Sequence, residues 1–163
     1  MEYLKIRYLL PTLFPLLFSL FSCEEESVNL IDEQIARDEV IIEDFLARNS
    51  ITNFQKTSNG LYYITLEEGT GGSPTTADSV VIEFTGRLLD GKKFLTTTLT
   101  DQPFSFLVDQ SISVTLGIHE GIKLMKTGGV TRFIMPTQLS ATGNNSIPSN
   151  SIHDFEIELV YFE

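Results

Sequence analysis

The chain has 163 residues, with 22 acidic against 11 basic side chains and a formal net charge of −11 at pH 7. Nucleic-acid binding needs a basic face, and this balance argues against it. A single cysteine excludes an intramolecular disulfide, and it excludes zinc or iron–sulfur sites built on several thiolates.

Residues 1–22 read as a secretory leader. Lys5 and Arg7 give a positive start, and the apolar run over 9–21 holds two prolines. That run falls short of the roughly 20 apolar residues of a comfortable membrane span. A plain secretory signal or an N-terminal anchor helix are the alternatives. Leu20-Phe21-Ser22-Cys23 resembles the bacterial lipobox, with Phe21 a departure from its smaller middle residue. The resemblance implies that Cys23 carries lipid (palmitate-type acyl chains) and becomes the mature N-terminus. It also implies a place in the bacterial cell envelope, anchored to a membrane, with the outer membrane expected. Losing Lys5, Arg7 and Glu2 with the leader leaves 9 basic and 21 acidic residues, a formal charge of −12. Residues 23–28 form an acidic tether, with Glu24-Glu25-Glu26 as a solvated spacer. The same run resembles the acidic export tag of surface lipoproteins in Bacteroidota.

Residues 29–50 are expected to form an amphipathic helix, with Ile31, Ile35, Ile42, Phe45 and Leu46 on one face. Asp32, Glu33, Arg37, Asp38, Glu43 and Asp44 take the other positions. Asn29 is placed to cap its start, and Asn49-Ser50 ends it. Such a stripe packs on its own domain; a dimer seam or partner-docking helix is the alternative reading.

From residue 55 to 163 the periodicity switches to two. Strands are expected over 61–66, 79–89, 104–108, 130–135 and 155–161, with Asp90-Gly91 turning a hairpin. Ile118, Ile122 and Met125 mark a short helix stopped by Gly128-Gly129. About five antiparallel strands with one covering helix define an α+β domain. His119, amid polar positions of that helix, and His153 read as solvated histidines. Asp154, Glu156 and Glu158 read as the exposed face of the last strand.

Four blocks then carry a resemblance to the FKBP family of prolyl isomerases. Residues 83–94, EFTGRLLDGKKF, resemble "HYTGxLxDGxxF"; Pro103-Phe104-Ser105-Phe106 resembles "PFxF". Residues 117–128, GIHEGIKLMKTG, resemble "GWxEGLxxMxxG", and 147–159 resemble "IPPNxxLxFxVEL". The resemblance implies a curved antiparallel sheet wrapped around one short helix, preceded here by the amphipathic helix. It implies an apolar pocket for a proline side chain, needing no nucleophile, metal or cofactor. Phe94, Phe104, Val114 and Phe155 hold matching types, and Ile147 matches the isoleucine before the last strand. Phe84 stands for a tyrosine and Ile118 for the tryptophan that floors the pocket. Thr115 stands where a backbone N–H binds the ligand carbonyl. Leu95 replaces an aspartate inside the pocket, and Ala141 replaces a ligand-binding tyrosine.

The function implied is isomerisation of X-Pro bonds, with weakened activity, in exported or envelope proteins. The partners implied are proline-containing unfolded or extended polypeptides, the membrane through Cys23, and no nucleic acid. The alternative is a degenerate binding module within an envelope export or gliding complex. A carbohydrate-binding lipoprotein is disfavoured because the chain has no tryptophan to stack on sugar.

Overall fold

In a computed structural model, residues 24–97, 102–140, 143 and 147–163 are described. Contacts divide the chain into two units, Met1–Gln34 and Ile35–Glu163. The described part of the first is the opening of helix α1 (Glu24–Arg48). The second holds the rest of α1 and the elements β1 (Gln55–Lys56), β2 (Tyr62–Glu67), β3 (Ser79–Leu88), β4 (Lys93–Thr96), β5 (Phe104–Leu107), α2 (Leu116–Ile122), β6 (Val130–Met135) and β7 (His153–Phe162).

Every strand pairing is antiparallel, in the order β1-β2-β6-β7-β3-β4, with β5 also paired to β3. Alternation along β6 and β7 divides the core in two. Phe133, Met135, Phe155, Ile157 and Leu159 face α2, where Ile118, Ile122 and Met125 meet them. Ile134 and Ile152, with Tyr62 and Ile64 of β2, turn the other way onto Ile42 and Leu46 of α1. The fold is thus the expected α+β class, a curved antiparallel sheet around a short helix with an N-terminal helix before it. Seven strands stand where about five were expected, because the two-residue β1 and four-residue β4 are too short to show an alternation.

Two glycines let α2 lie close on the sheet. A Cβ on Gly121 would stand 2.8 Å from the Phe133 ring, and one on Gly117 2.8 Å from the Met135 sulfur. Glycine inside a helix costs about 1 kcal/mol relative to alanine, which the close helix–sheet packing offsets.

Helix α1 differs from the sequence reading in three ways. It starts at Glu24, so Asn29 lies inside it and does not cap it. Its apolar stripe is only partly used: Ile42 and Leu46 are buried and Phe45 half-buried, whereas Ile31 and Ile35 stay exposed. Asp38, read as a solvated position, is buried and accepts hydrogen bonds from both the N–H and Oγ1 of Thr137, at 2.8 and 2.7 Å. The C-terminal end is as expected. Asn49 donates through Nδ2 to the Phe45 carbonyl, and Ser50 takes a left-handed φ of 56° that stops the helix. Among the described residues, no helix is long and apolar enough to cross a membrane.

Candidate functional site

The site grows out of the β3–β4 hairpin and the start of β7. Gly86 pairs with Phe155 on one side and Leu95 on the other, while Arg87 pairs with Lys93. Phe94 is therefore the extra residue of a β-bulge, a device that re-aims a side chain. Its ring meets Phe155 edge to face, with centroids 5.6 Å apart. Phe84 lies 5.8 Å from Phe155 and 6.1 Å from Phe104, the latter contact T-shaped. Edge-to-face pairs of this kind add about 0.5–1.5 kcal/mol each beyond burial and hold the rings in fixed orientations.

Around this ring cluster stand the other positions carried over by resemblance. Phe155, Phe84 and Ile118 are buried core residues; Phe94 and Val114 are half-buried against them. Phe104 is 38% exposed and forms an edge of the cluster. Ile147 is buried in the segment that leads into β7. Thr115 is the N-cap of α2 in an extended conformation (φ −72°, ψ 154°), its side chain not capping the helix. Leu95 is 53% exposed and does not pack in the core. Ala141 and Cys23 lie outside the described residues, so the positions expected for the family tyrosine and for the lipid have no structural account.

Both histidines are buried, contrary to the sequence reading. His119 sits where α2 faces the segment joining β5 to α2. Its Nδ1 accepts the Asp109 N–H at 3.0 Å, and its Nε2 lies 3.0 Å from the Ser111 carbonyl. A neutral ring carrying its proton on Nε2 satisfies both partners. Asp109, at a left-handed φ of 60°, also bonds Lys123 at 2.9 Å and Thr76 at 2.7 Å. Its carboxyl is held below the usual range, first by the Lys123 hydrogen bond. This network fixes the segment that delivers Val114 and Thr115. His153 is 1% exposed, and neither ring nitrogen has a hydrogen-bond partner among the described residues.

Asp154 is also buried rather than on an exposed face. Arg132 grips it bidentately, at 2.9 and 2.7 Å, and the guanidinium lies 5.6 Å over the Phe45 ring. The hydrogen bond from Arg132 to Asp154 is the main cause that raises the arginine's pKa. Glu158 is exposed as expected, and Glu156 is half-buried. Sequence reasoning also missed Thr97, whose Oγ1 accepts the Phe84 N–H at 2.9 Å and so ties that ring's backbone to the end of β4. No spacing rule signals such contacts.

The arrangement offers an apolar aromatic box open at one edge, close to a helix N-cap. Among the described residues no group of three side chains could hold a metal ion. A separate depression of about 800 Å³ on the outer side of α2, lined by Leu116, Glu120, Lys123, Lys56, Asn59 and Gln138, includes none of the pocket aromatics.

A curved sheet around a short helix, with an aromatic box where the two meet, defines the FKBP class of folds. The family model of the FKBP-type peptidyl-prolyl cis-trans isomerase matches residues 71–160, more than half the chain, and the chain belongs to that family. It is 36% identical over 124 residues to the FKBP-type peptidyl-prolyl cis-trans isomerase FkpA of Aeromonas hydrophila, covering 74% of this chain and 45% of that one. Against FkpA of Escherichia coli K12 it is 37% identical over 106 residues, covering 64% and 38%. The chain thus spans less than half the length of these curated relatives. Among solved structures, FkpA from Escherichia coli superposes with a TM-score of 0.68 at 29% identity, covering 85% of this chain and 65% of that one. A peptidyl-prolyl cis-trans isomerase from Pseudomonas syringae gives 0.66 at 25%, covering 81% and 95%.

Proposed function

We propose that the chain accelerates cis–trans isomerisation of X-Pro bonds in unfolded or extended polypeptides. The observation that carries this reading is the ring cluster of Phe84, Phe94, Phe104 and Phe155 beside Ile118 and Val114. The X-Pro bond loses its amide resonance as it rotates, against a barrier of about 18–20 kcal/mol. An apolar enclosure disfavours the charge-separated planar amide relative to the twisted one, and a hydrogen bond to the ligand carbonyl, assigned by resemblance to the Thr115 N–H, positions the peptide. Prolines on unfolded chains otherwise isomerise over tens to hundreds of seconds.

The activity is weakened relative to a pocket with its full polar set. Phe84 brings no hydroxyl, and Leu95 is exposed where the family aspartate would reach inward. A missing positioned hydrogen bond costs about 1–2 kcal/mol, or roughly tenfold in rate. The replacement of the family aspartate by Leu95 and of its tyrosine by Ala141, with Ile118 in place of the tryptophan, favours the second reading, a module that holds proline-containing segments without turning them over. Anchoring through lipid on Cys23 in a bacterial envelope, and service to an envelope protein complex, complete the proposal and rest on the sequence of residues 1–26.

The test is isomerisation of X-Pro peptides by the full chain, beside a Phe155→Ala variant. Acceleration by the wild type and its loss in the variant are expected. Background rates for the wild type on several peptides, with binding retained, would establish the holding module instead. Incorporation of labelled fatty acid, abolished by Cys23→Ala, tests the anchor.

A further inference from the structure

We propose that His153 is a positioning residue of the pocket: as a neutral ring it backs the Phe94 and Phe155 walls, and on protonation it drives them apart, so acid turns down proline binding. This inference rests on the prolyl-isomerase reading and extends it to the regulation of the same site.

His153 precedes Phe155 by two residues on β7, so alternation puts both on one face of the sheet. Its ring centroid lies 4.9 Å from that of Phe94 and 6.0 Å from that of Phe155. The side chain is buried, and both nitrogens lack a partner among the described residues. Leaving a buried polar group unpaired costs about 1–3 kcal/mol, and an aliphatic side chain of similar size would fill the place without that cost. The imidazole therefore brings nothing to the packing of the neutral fold that an apolar residue could not. What it adds is the capacity to change charge.

The surroundings offer a charged ring no support. Opposite His153 stand Leu88 on β3 and Met135 on β6, both uncharged. Arg87, the cross-strand partner of Asp154, and Lys93, the partner of Arg87, are turned to the opposite face by the same alternation, so among the described residues no carboxylate or cation stands beside the ring. Asp154, the next residue on β7, projects to the other face by alternation and is gripped by Arg132. Burial alone lowers the His153 pKa; no neighbouring charge contributes. A protonated ring must reach water or carry an unpaired buried charge, which costs several kcal/mol. Phe94 is the contact able to yield, being half-buried and the extra residue of a bulge at an edge strand. When it yields, the proline site loses a wall.

The experiment is a pH profile of kcat and KM for X-Pro peptide isomerisation by the full chain, with His153→Leu in parallel, on a peptide that does not itself titrate. As pH falls from about 7.5 to the acid limit at which the chain stays folded, wild-type kcat/KM is expected to fall at least about fivefold, chiefly through KM, while that of the variant changes less than about twofold. Parallel profiles would overturn the proposal. The same pH range is followed on wild type by NMR of the His153 imidazole and the Phe94 and Phe155 rings, a readout that needs no turnover. Ring signals that move with the imidazole titration support the proposal; an imidazole that titrates without them, or does not titrate, overturns it. Wild type inactive at every pH would refute the isomerase reading, and the NMR titration would still decide the role of His153.

Discussion

The Phe155 ring occupies the space that a side chain on Gly86 would need: a Cβ there would stand 2.7 Å from Phe155 Cε1. The same Cβ would come within 3.1 Å of the Phe94 ring. Gly86 is thus the gap in β3 through which both pocket rings pack.

Gly86→Ala is expected to push Phe155 and Phe94 out of register with Phe84. Overpacking of this kind costs about 1–3 kcal/mol in stability. The kcat/KM for X-Pro peptides should fall by roughly tenfold or more, since the pocket walls themselves are displaced. Steady-state kinetics beside a urea unfolding curve separates the two effects. A variant with wild-type kinetics would show that ring placement does not limit the reaction.

His119→Leu removes two of the contacts that hold the segment between β5 and α2 and leaves the Asp109 N–H and the Ser111 carbonyl without that partner, while Lys123 and Thr76 still hold Asp109. A loss of about 1–3 kcal/mol in stability is expected. Because the segment delivers Val114 and Thr115, KM should rise more than kcat falls. Equal loss in both parameters would point to a general collapse of the fold.

Asp154→Ala strips the half-buried Arg132 guanidinium of its bidentate partner and leaves it over the Phe45 ring with its cross-strand neighbour Glu156 as the remaining carboxylate. The expected cost is about 2 kcal/mol, read as a lower urea midpoint. The pair lies on the sheet face opposite the pocket, so activity measured below the unfolding range should change less than about twofold.

Stability should depend on pH through His153. Above its ordinary pKa of 6.5 the ring is neutral both folded and unfolded, and it contributes no slope. Burial lowers the folded value, so as pH falls below that point the unfolded chain takes up the proton first. Stability is lost progressively until the folded value is passed. Urea midpoints at about pH 7.5 and about pH 5.5 should therefore diverge more in wild type than in His153→Leu. Equal differences would show that carboxylates alone set the acid limb.

The alternation in β3 and β7 and the order of the four blocks were enough to read the architecture from the sequence. The apolar side chains that build the ring cluster were legible for the same reason. Burial of His119, His153 and Asp154 was not, because a polar residue reads as solvent-facing unless its partners are known. Those partners are the Asp109 backbone, two phenylalanine rings and Arg132, 22 residues away from Asp154. The aim of Phe94 was hidden too, since a bulge shifts alternation by one residue and no residue type announces it. Helix α1 starts early because nothing in Glu24–Asn29 breaks a helix: the stretch lacks glycine and proline, and acidic residues favour a first turn.

The bond between Asp38 and Thr137 spans 99 residues of chain. Its consequence falls on the order of folding. Ile42 and Leu46 have their docking surface in β2 and β6, and β6 is itself framed by β7, the last of the described strands along the chain. During synthesis from the N-terminus, α1 therefore waits with its apolar side unpaired until almost the whole domain has been made. Contacts of such sequence separation slow folding and lengthen the time a chain is exposed to aggregation. A protein proposed to hasten the slow steps of other chains is itself built to close late.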